Sequence, residues 1–281
     1  MPARTLALER CRHGQMLFFP EDEVIGRSLR IYGEWAEHEL SCLRPFLPAT
    51  GLVLDVGAHL GTHALAFARW APGATVLALE PQPDVAAVLQ VNAMLNGLGK
   101  IEVHAAGCAD RDSWCPAPAA PLDNLGGFSL TDVERPAWWR RLWSPLPHGA
   151  IRLTQLDTLL EGRGSVGFVK MDIEGMELPA LQGGMRMMKR DRPVLYLEQL
   201  STTSLPALFD LLSPLDYTLH WLETQPFNKK NFRGVSENLW WRTETGLLVL
   251  PKGWTSSLPR ASRFDPSPPA RLDARVGWEG S

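Results

Sequence analysis

The stretch LDVGAHLGTHALAFARW, Leu54–Trp70, decides how the chain is read. It runs from aliphatic residues into Asp55 and places glycines at 57 and 61. It then continues in a helical pattern from His63 to Ala71, which Pro72 and Gly73 stop. Strand, glycine turn and helix in that order make the first βα unit of a doubly wound sheet, and such sheets bind ligands outside the carboxyl ends of their strands. Gly57 and Gly61 tighten the turn, and the backbone N–H groups of Gly57-Ala58-His59-Leu60-Gly61 are expected within reach of a ligand. Asp55, at the strand end, can accept from that ligand or from those amides.

Outward from this unit, the short aliphatic runs GLVLDV, TVLALE, IEVHAAG, VGFVKMD, RPVLYLE, YTLHWL and GLLVLP alternate with helical patterns. Apolar on both faces, they suit strands buried in a parallel sheet. Val85, Val88, Leu89 and Leu95 share one face of a helix predicted from near Asp84 to Asn96-Gly97. Leu178, Leu181, Met185 and Met188 predict one helix from about Glu177 to Met188. The last two runs are joined by a loop without a convincing helix, so those strands should pair antiparallel. The expected fold is α/β: a mostly parallel seven-stranded sheet with an antiparallel C-terminal hairpin. Residues 1–50 form an N-terminal segment, 51–251 the main domain with a tryptophan-rich insert at 108–150, and 252–281 a proline-rich tail expected to be loosely ordered.

Composition narrows the function classes. The 281 residues carry a formal net charge of −3 and 45% hydrophobic residues, a balance without the basic footprint that a nucleic-acid partner requires. The first residues lack a secretory apolar core, and no apolar run approaches the roughly 20 residues of a membrane span, so a cytoplasmic protein is expected. Cys11, Cys42, Cys108 and Cys115 do not fall at zinc-site spacing and read as reduced thiols.

Glu80 ends the second strand 19 residues after Gly61 and is followed by Pro81. An acidic side chain there can take both hydroxyls of a ribose, which points to a nucleoside. The turn lacks the GxGxxG spacing that cradles a pyrophosphate, and together with the antiparallel end of the sheet this favours S-adenosylmethionine over a nicotinamide dinucleotide. Asp55 then faces the ammonium of that donor or holds the loop, His59 can hydrogen-bond its carboxylate, and His63 reads as a polar residue of the first helical turn. Asp110, just past the third strand, either receives the adenine amino group or is a plain turn residue.

Transfer of a methyl group needs alignment, exclusion of water and, for a hydroxyl acceptor, a base. In an extended VKMDIEG, Lys170, Asp172 and Glu174 share one side. Asp172 is the preferred base, Glu174 divides between base and helix cap, and Lys170 is a partner to them. His220 in YTLHWL is a further catalytic candidate, although an interior histidine is the plainer reading. Asp172 and Glu198 alone supply too few ligands for Mg²⁺, so no metal is expected. Asn92 and Asn96 are four apart on one helical face, where a solvent edge plus a C-terminal cap is the plainer reading, held for Asn96. Trp114, Trp138, Trp139 and Trp143 suit the wall of an apolar acceptor pocket, the packing of a surface subdomain or a homodimer contact.

From about Cys11 to Pro251 the chain resembles the FkbM-type S-adenosylmethionine-dependent methyltransferases. The segments that carry the likeness are YGEWAEHE, LDVGAHLGTHAL, ALEPQP, VNAMLNGL, NLGGF, VKMDIEGMELPALQGG, RPVLYLEQ and NKKNFRGVSEN. The resemblance implies a class I methyltransferase fold and methyl transfer to a hydroxyl of a small natural product or sugar, without membrane or nucleic-acid partners. It also implies that the region of Tyr32, Glu34 and Glu37 folds over the donor, with Glu34 near the methionine moiety. Read without the resemblance, YGEWAEHEL is an amphipathic helix start. His59, where the family more often has Asn, and the tryptophan-rich insert depart from the pattern.

Overall fold

The computed structural model describes residues 5–116, 150–198, 205–254 and 262–263. The first turn of the chain is a hairpin, β1 (Ala7–Cys11) and β2 (Gly14–Phe18), followed by helices α1 (Ile25–Tyr32) and α2 (Glu37–Leu43). Then come β3 (Gly51–Val56), α3 (Thr62–Trp70), β4 (Ala74–Leu79), α4 (Pro83–Leu95) and β5 (Ile101–His104). The short strands β6 (Gly107–Cys108), β7 (Ser113–Pro116) and β8 (Ala150–Thr154) make a small sheet of their own. Helix α5 (Leu156–Leu159) leads to β9 (Val166–Met171), α6 (Glu177–Gln182), α7 (Met185–Asp191), β10 (Val194–Glu198), α8 (Leu205–Leu212), β11 (Tyr217–Thr224), β12 (Glu244–Pro251) and the two-residue β13 (Ser262–Arg263).

The central sheet runs β13-β11-β12-β10-β9-β3-β4-β5. Strands β5, β4, β3, β9 and β10 are parallel, and β12 is antiparallel to both β10 and β11. This is the mostly parallel α/β sheet with an antiparallel C-terminal hairpin that the sequence predicts, with β13 added at the edge. The chain moves outward from β3 through β4 to β5 and then returns to start again at β9 on the other side of β3, so the crevice between the carboxyl ends of β3 and β9 is the topological switch point. One sheet face packs Val53, Phe168, Tyr196 and Leu248 against α2, α3 and α4; the other packs Leu54, Val169, Leu195 and Leu247 against α5, α6, α7 and α8. Burial on both faces explains why the strands read as continuous apolar runs.

Three elements differ from the sequence reading. The helix expected over 177–188 is two helices separated by Gly183-Gly184, and position 183 has no room for a side chain, since a Cβ there would lie 2.1 Å from the carbonyl oxygen of Ala109. IEVHAAG is not one strand: β5 stops at His104, and Gly107-Cys108 pair with β8 in the small sheet. YGEWAEHEL does not start a helix at Tyr32, since Gly33 and Ala36 are both left-handed and α2 begins at Glu37. All four cysteines are free thiols. No helix among the described residues is long and apolar enough to cross a membrane. The insert tryptophans Trp138, Trp139 and Trp143, the NLGGF segment and most of the 252–281 tail lie outside the described residues.

Asn92 is no solvent edge. It is fully buried in α4, where its side-chain oxygen accepts from the Leu17 N–H at 2.6 Å and its amide donates to the carbonyls of Leu17 and Leu60, both at 2.9 Å. It therefore pins the N-terminal hairpin to the glycine turn. Asn96 is the C-terminal cap as read, and its side chain also bonds the backbone of Gln15. Replacing Asn92 by Ala strands buried donors and acceptors on two segments and should cost about 3 kcal/mol. Asn96→Ala, at an exposed site, should cost about 1 kcal/mol. Urea unfolding of the two variants would test this ordering.

Candidate functional site

The turn after β3 is built from backbone geometry. Gly57 and Gly61 have φ of 80° and 88°, and a Cβ on Gly57 would lie 1.9 Å from the carbonyl oxygen of Asp172. The glycine is thus required for the turn to close against the end of β9. Four of the five amides of the turn are engaged within the protein. Those of Gly57 and Ala58 both donate to the Leu79 carbonyl at 2.9 Å, that of His59 donates to Glu80 Oε2 at 3.0 Å, and that of Gly61 returns to Ala58.

Glu80 accepts from the amides of His59 and Gln82 at 3.0 and 2.9 Å, tying the turn after β3 to the turn after β4, with Pro81 between. Burial pushes its carboxyl up to about 7, against the pull of those two amides. His59 sits at φ 48° and is buried, and neither ring nitrogen has a hydrogen-bond partner among the described residues. Burial drives its pKa down to about 4, so the ring is neutral at neutral pH. His63 is more than a polar turn residue: its Nε2 lies 2.8 Å from Glu39 in the interior.

On the same face stands a cluster of charges. The buried ammonium of Lys170 lies 3.4 Å from Asp172, 3.8 Å from Glu198 and 4.0 Å from Asp55. Burial alone would lower its pKa, but Asp172, Asp55 and Glu198 together outweigh that and hold it charged. Asp55 is fully buried and neither carboxylate oxygen accepts a hydrogen bond among the described residues. Burial raises its pKa, while Lys170 opposes the rise. Asp172, in contrast, is 29% exposed through its side chain. Strand β9 ends at Met171, so Glu174 does not continue the extended alternation with Lys170 and Asp172; it takes a left-handed turn conformation at φ 49°. Burial, then repulsion from Asp172 and Glu177, raises it to about 7.

The other expected residues have the following surroundings. Glu34 is held by three donors, Arg12 at 2.6 Å, Asn228 at 2.9 Å and the Phe232 amide at 2.7 Å, so its carboxylate locks the N-terminal segment to the 225–241 loop. Glu37 pairs with His13 at 2.7 Å, and the Tyr32 hydroxyl donates to the Glu237 carbonyl. His220 faces Thr218 on β11, three strands from β9 and so about 14 Å from Lys170 by strand spacing; it does not join the cluster. Asp110 follows β6 beside Arg111 at 3.6 Å. Trp114 lies on β7 with its ring partly exposed.

Residues that the sequence reading did not single out complete the site. Glu39 from α2 accepts from His63 and from the Tyr196 hydroxyl at 2.9 Å, and it meets Glu198 and Glu244 in a buried group. One oxygen of each of these three carboxylates lies within 4.8 Å of the others, the donor set best placed to hold a metal among the described residues. Gly246 is the signal that was available in the sequence: a side chain there would meet the Tyr196 ring at 2.4 Å, and its absence lets the tyrosine reach Glu39.

Comparison with known proteins adds the following. The family model described as Methyltransferase FkbM domain matches residues 55–219, more than half of the chain. Methyltransferase FkbM from Methylobacillus flagellatus is similar in structure at 21% identity, over 72% of this chain and 44% of that one, with a TM-score of 0.47. The chain thus spans less than half of that protein's length. Precorrin-6y C5,15-methyltransferase from Geobacter metallireducens is 12% identical over 76% and 85% of the two chains, TM-score 0.43. M. jannaschii TYW2 in complex with AdoMet is 11% identical over 89% and 86%, TM-score 0.47. No curated protein matches the chain.

Replacing Lys170 by Met removes the counter-charge of three carboxylates and should cost about 3–5 kcal/mol at neutral pH. Without the ammonium, the folded-state pKa values of Asp55 and Glu198, already raised by burial, rise further above their unfolded values near 4. The penalty is therefore full above those raised values, fades as the pH falls through them, and is gone by about pH 4, where the unfolded chain is protonated as well. Urea unfolding of both proteins from pH 7 to pH 3 would show the gap closing.

Proposed function

The chain belongs to the FkbM methyltransferase domain family, and we propose that it methylates a hydroxyl of a small molecule with S-adenosylmethionine as donor. The observation that carries the reading is the buried Asp55 carboxylate, which accepts no hydrogen bond among the described residues at the switch point of the sheet. Lys170 at 4.0 Å and the nearby Ala64 backbone N–H offset only part of the cost of burying this carboxylate, whose pKa stays raised, and a second ammonium group in the crevice would offset more of it. The neutral His59 ring, without hydrogen-bond partners among the described residues, would donate to the donor's carboxylate. The turn formed by Gly57, Ala58 and Gly61 shapes the floor. Glu80 keeps free lone pairs for the ribose hydroxyls beside Pro81, and Asp110 is assigned to the adenine amino group. When bound, the donor supplies a methyl group on a sulfonium, whose C–S bond breaks as the acceptor oxygen attacks.

The chain's own part is to hold the acceptor in line and take its proton. Asp172 is assigned that proton: it is the partly exposed member of the cluster, and Lys170 at 3.4 Å keeps a positive charge beside it. A second reading, with Glu174 as base, is favoured by its raised pKa of about 7 and its left-handed backbone. The net negative charge and the acidic cleft favour an uncharged or cationic small acceptor over a polyanion.

Asp172→Asn should lower kcat about 10²–10³-fold and leave donor affinity, measured by calorimetry, within about threefold. Turnover that survives this change would indicate an acceptor nitrogen, which needs less help from a base. The pH profile separates the two carboxylates. A base with a pKa near 7 is protonated below that pH, so with Glu174 in the role kcat/KM rises about tenfold per pH unit up to pH about 7 and then levels. Glu174→Gln would abolish that limb, whereas with Asp172 in the role the limb is unaffected by the change. S-adenosylhomocysteine release across an acceptor panel is the measurement for both.

A further inference from the structure

We propose that Glu39, Glu198 and Glu244 form a binding site for one hard divalent cation, with the Thr224 hydroxyl as a further oxygen ligand. The inference concerns this pocket alone and does not rest on methyl transfer. The three carboxylates come from α2, β10 and β12, and each is more than nine-tenths buried. One oxygen from each falls within 4.8 Å of the other two. Ligands at about 2.1–2.4 Å on opposite sides of one ion stand about 4.2–4.8 Å apart, so a single ion could bridge all three with little movement.

A second observation points to a ligand. Thr224 is 1% exposed, and its hydroxyl has no hydrogen-bond partner among the described residues. It lies directly opposite Glu244 in the β11–β12 ladder, so both side chains leave the same face of the sheet with Cβ atoms about 5 Å apart. Glu198 shares that face, since it pairs with Gly246, two residues along β12 from Glu244. The carboxylates are also oriented from behind, as metal ligands are: Glu39 by His63 and Tyr196, Glu244 by Arg242 at 2.7 Å, Glu198 by Lys170.

The electrostatics agree with this geometry. Burial raises the pKa of both Glu198 and Glu244, and repulsion raises them further, from Asp172 and Glu39 on Glu198 and from Glu39 on Glu244. Such a pocket needs positive charge, which either protons or a cation can supply. A set of carboxylates and a hydroxyl, with the neighbouring imidazole of His63 engaged by Glu39, selects Mg²⁺, Mn²⁺ or Ca²⁺ over softer metals. The sequence reading set a metal aside because Asp172 and Glu198 alone were too few; folding brings Glu39 and Glu244 to the same place.

The test is titration of the chelator-treated full chain with Mn²⁺ at neutral pH, followed by the loss of the free-ion electron paramagnetic resonance signal, with Mg²⁺ and Ca²⁺ as competitors. The expected result is one saturable site per chain, weakened at least about tenfold in Glu244→Gln. Thr224→Val, a near-isosteric change that spares the carboxylates, should weaken it measurably and keeps the test open if Glu244→Gln fails to fold. The ion should raise the thermal midpoint of the unaltered protein and leave that of a folded Glu244→Gln variant unmoved. Absence of saturable binding up to about 1 mM Mn²⁺, or saturable binding that neither substitution alters, would overturn the proposal. Because no donor or acceptor enters the assay, its failure would leave the methyl-transfer reading standing.

Discussion

A single buried ammonium, that of Lys170, stands between Asp55, Asp172 and Glu198 where β3, β9 and β10 end. Parallel strands that end in acids would repel one another in a low-dielectric interior, and the desolvation of each acid adds to the cost. The lysine makes the arrangement tenable and leaves the carboxylates in excess. That excess gives the cleft its character: acids held close together, short of positive charge, at the switch point of the sheet.

Backbone geometry then brings the turn after β3 into this electrostatic setting. Gly57 has no side chain because the Asp172 carbonyl occupies its place, so the glycine turn and the end of β9 are one packed unit. The turn spends its amides within the protein, on Leu79, Glu80 and Ala58. A helix N-terminus with free amides suits a phosphate; here four of the turn's five amides are engaged and buried carboxylates lie alongside.

The N-terminal segment closes the assembly from the side. Asn92 holds the hairpin to the turn, Glu34 holds the segment to the 225–241 loop through Arg12, Asn228 and Phe232, and Glu39 carries α2 down to Tyr196 and His63. Segments far apart in the chain thus share buried polar side chains, each with hydrogen bonds that cross between segments.

The order of strands and helices was legible in the sequence, because strands buried on both faces must be apolar throughout and helices must show a stripe; the glycine turn, Glu80 and the Lys170-Asp172 pair could be placed at strand ends for the same reason. Local pattern misjudged the elements shaped by distant neighbours. Gly183, between α6 and α7, has no room for a side chain beside the Ala109 carbonyl, and the left-handed Glu174 ends an alternation that looked extended. The use of each polar group was out of reach as well. Nothing local distinguishes Glu34, saturated by three donors, from Asp55, which accepts no hydrogen bond among the described residues, or joins Glu39 to Glu244 across some two hundred residues. Periodicity and turn chemistry act over a few residues and so determined the fold; the energy of a buried charge depends on every group within several ångströms, and only the tertiary structure decides which groups those are.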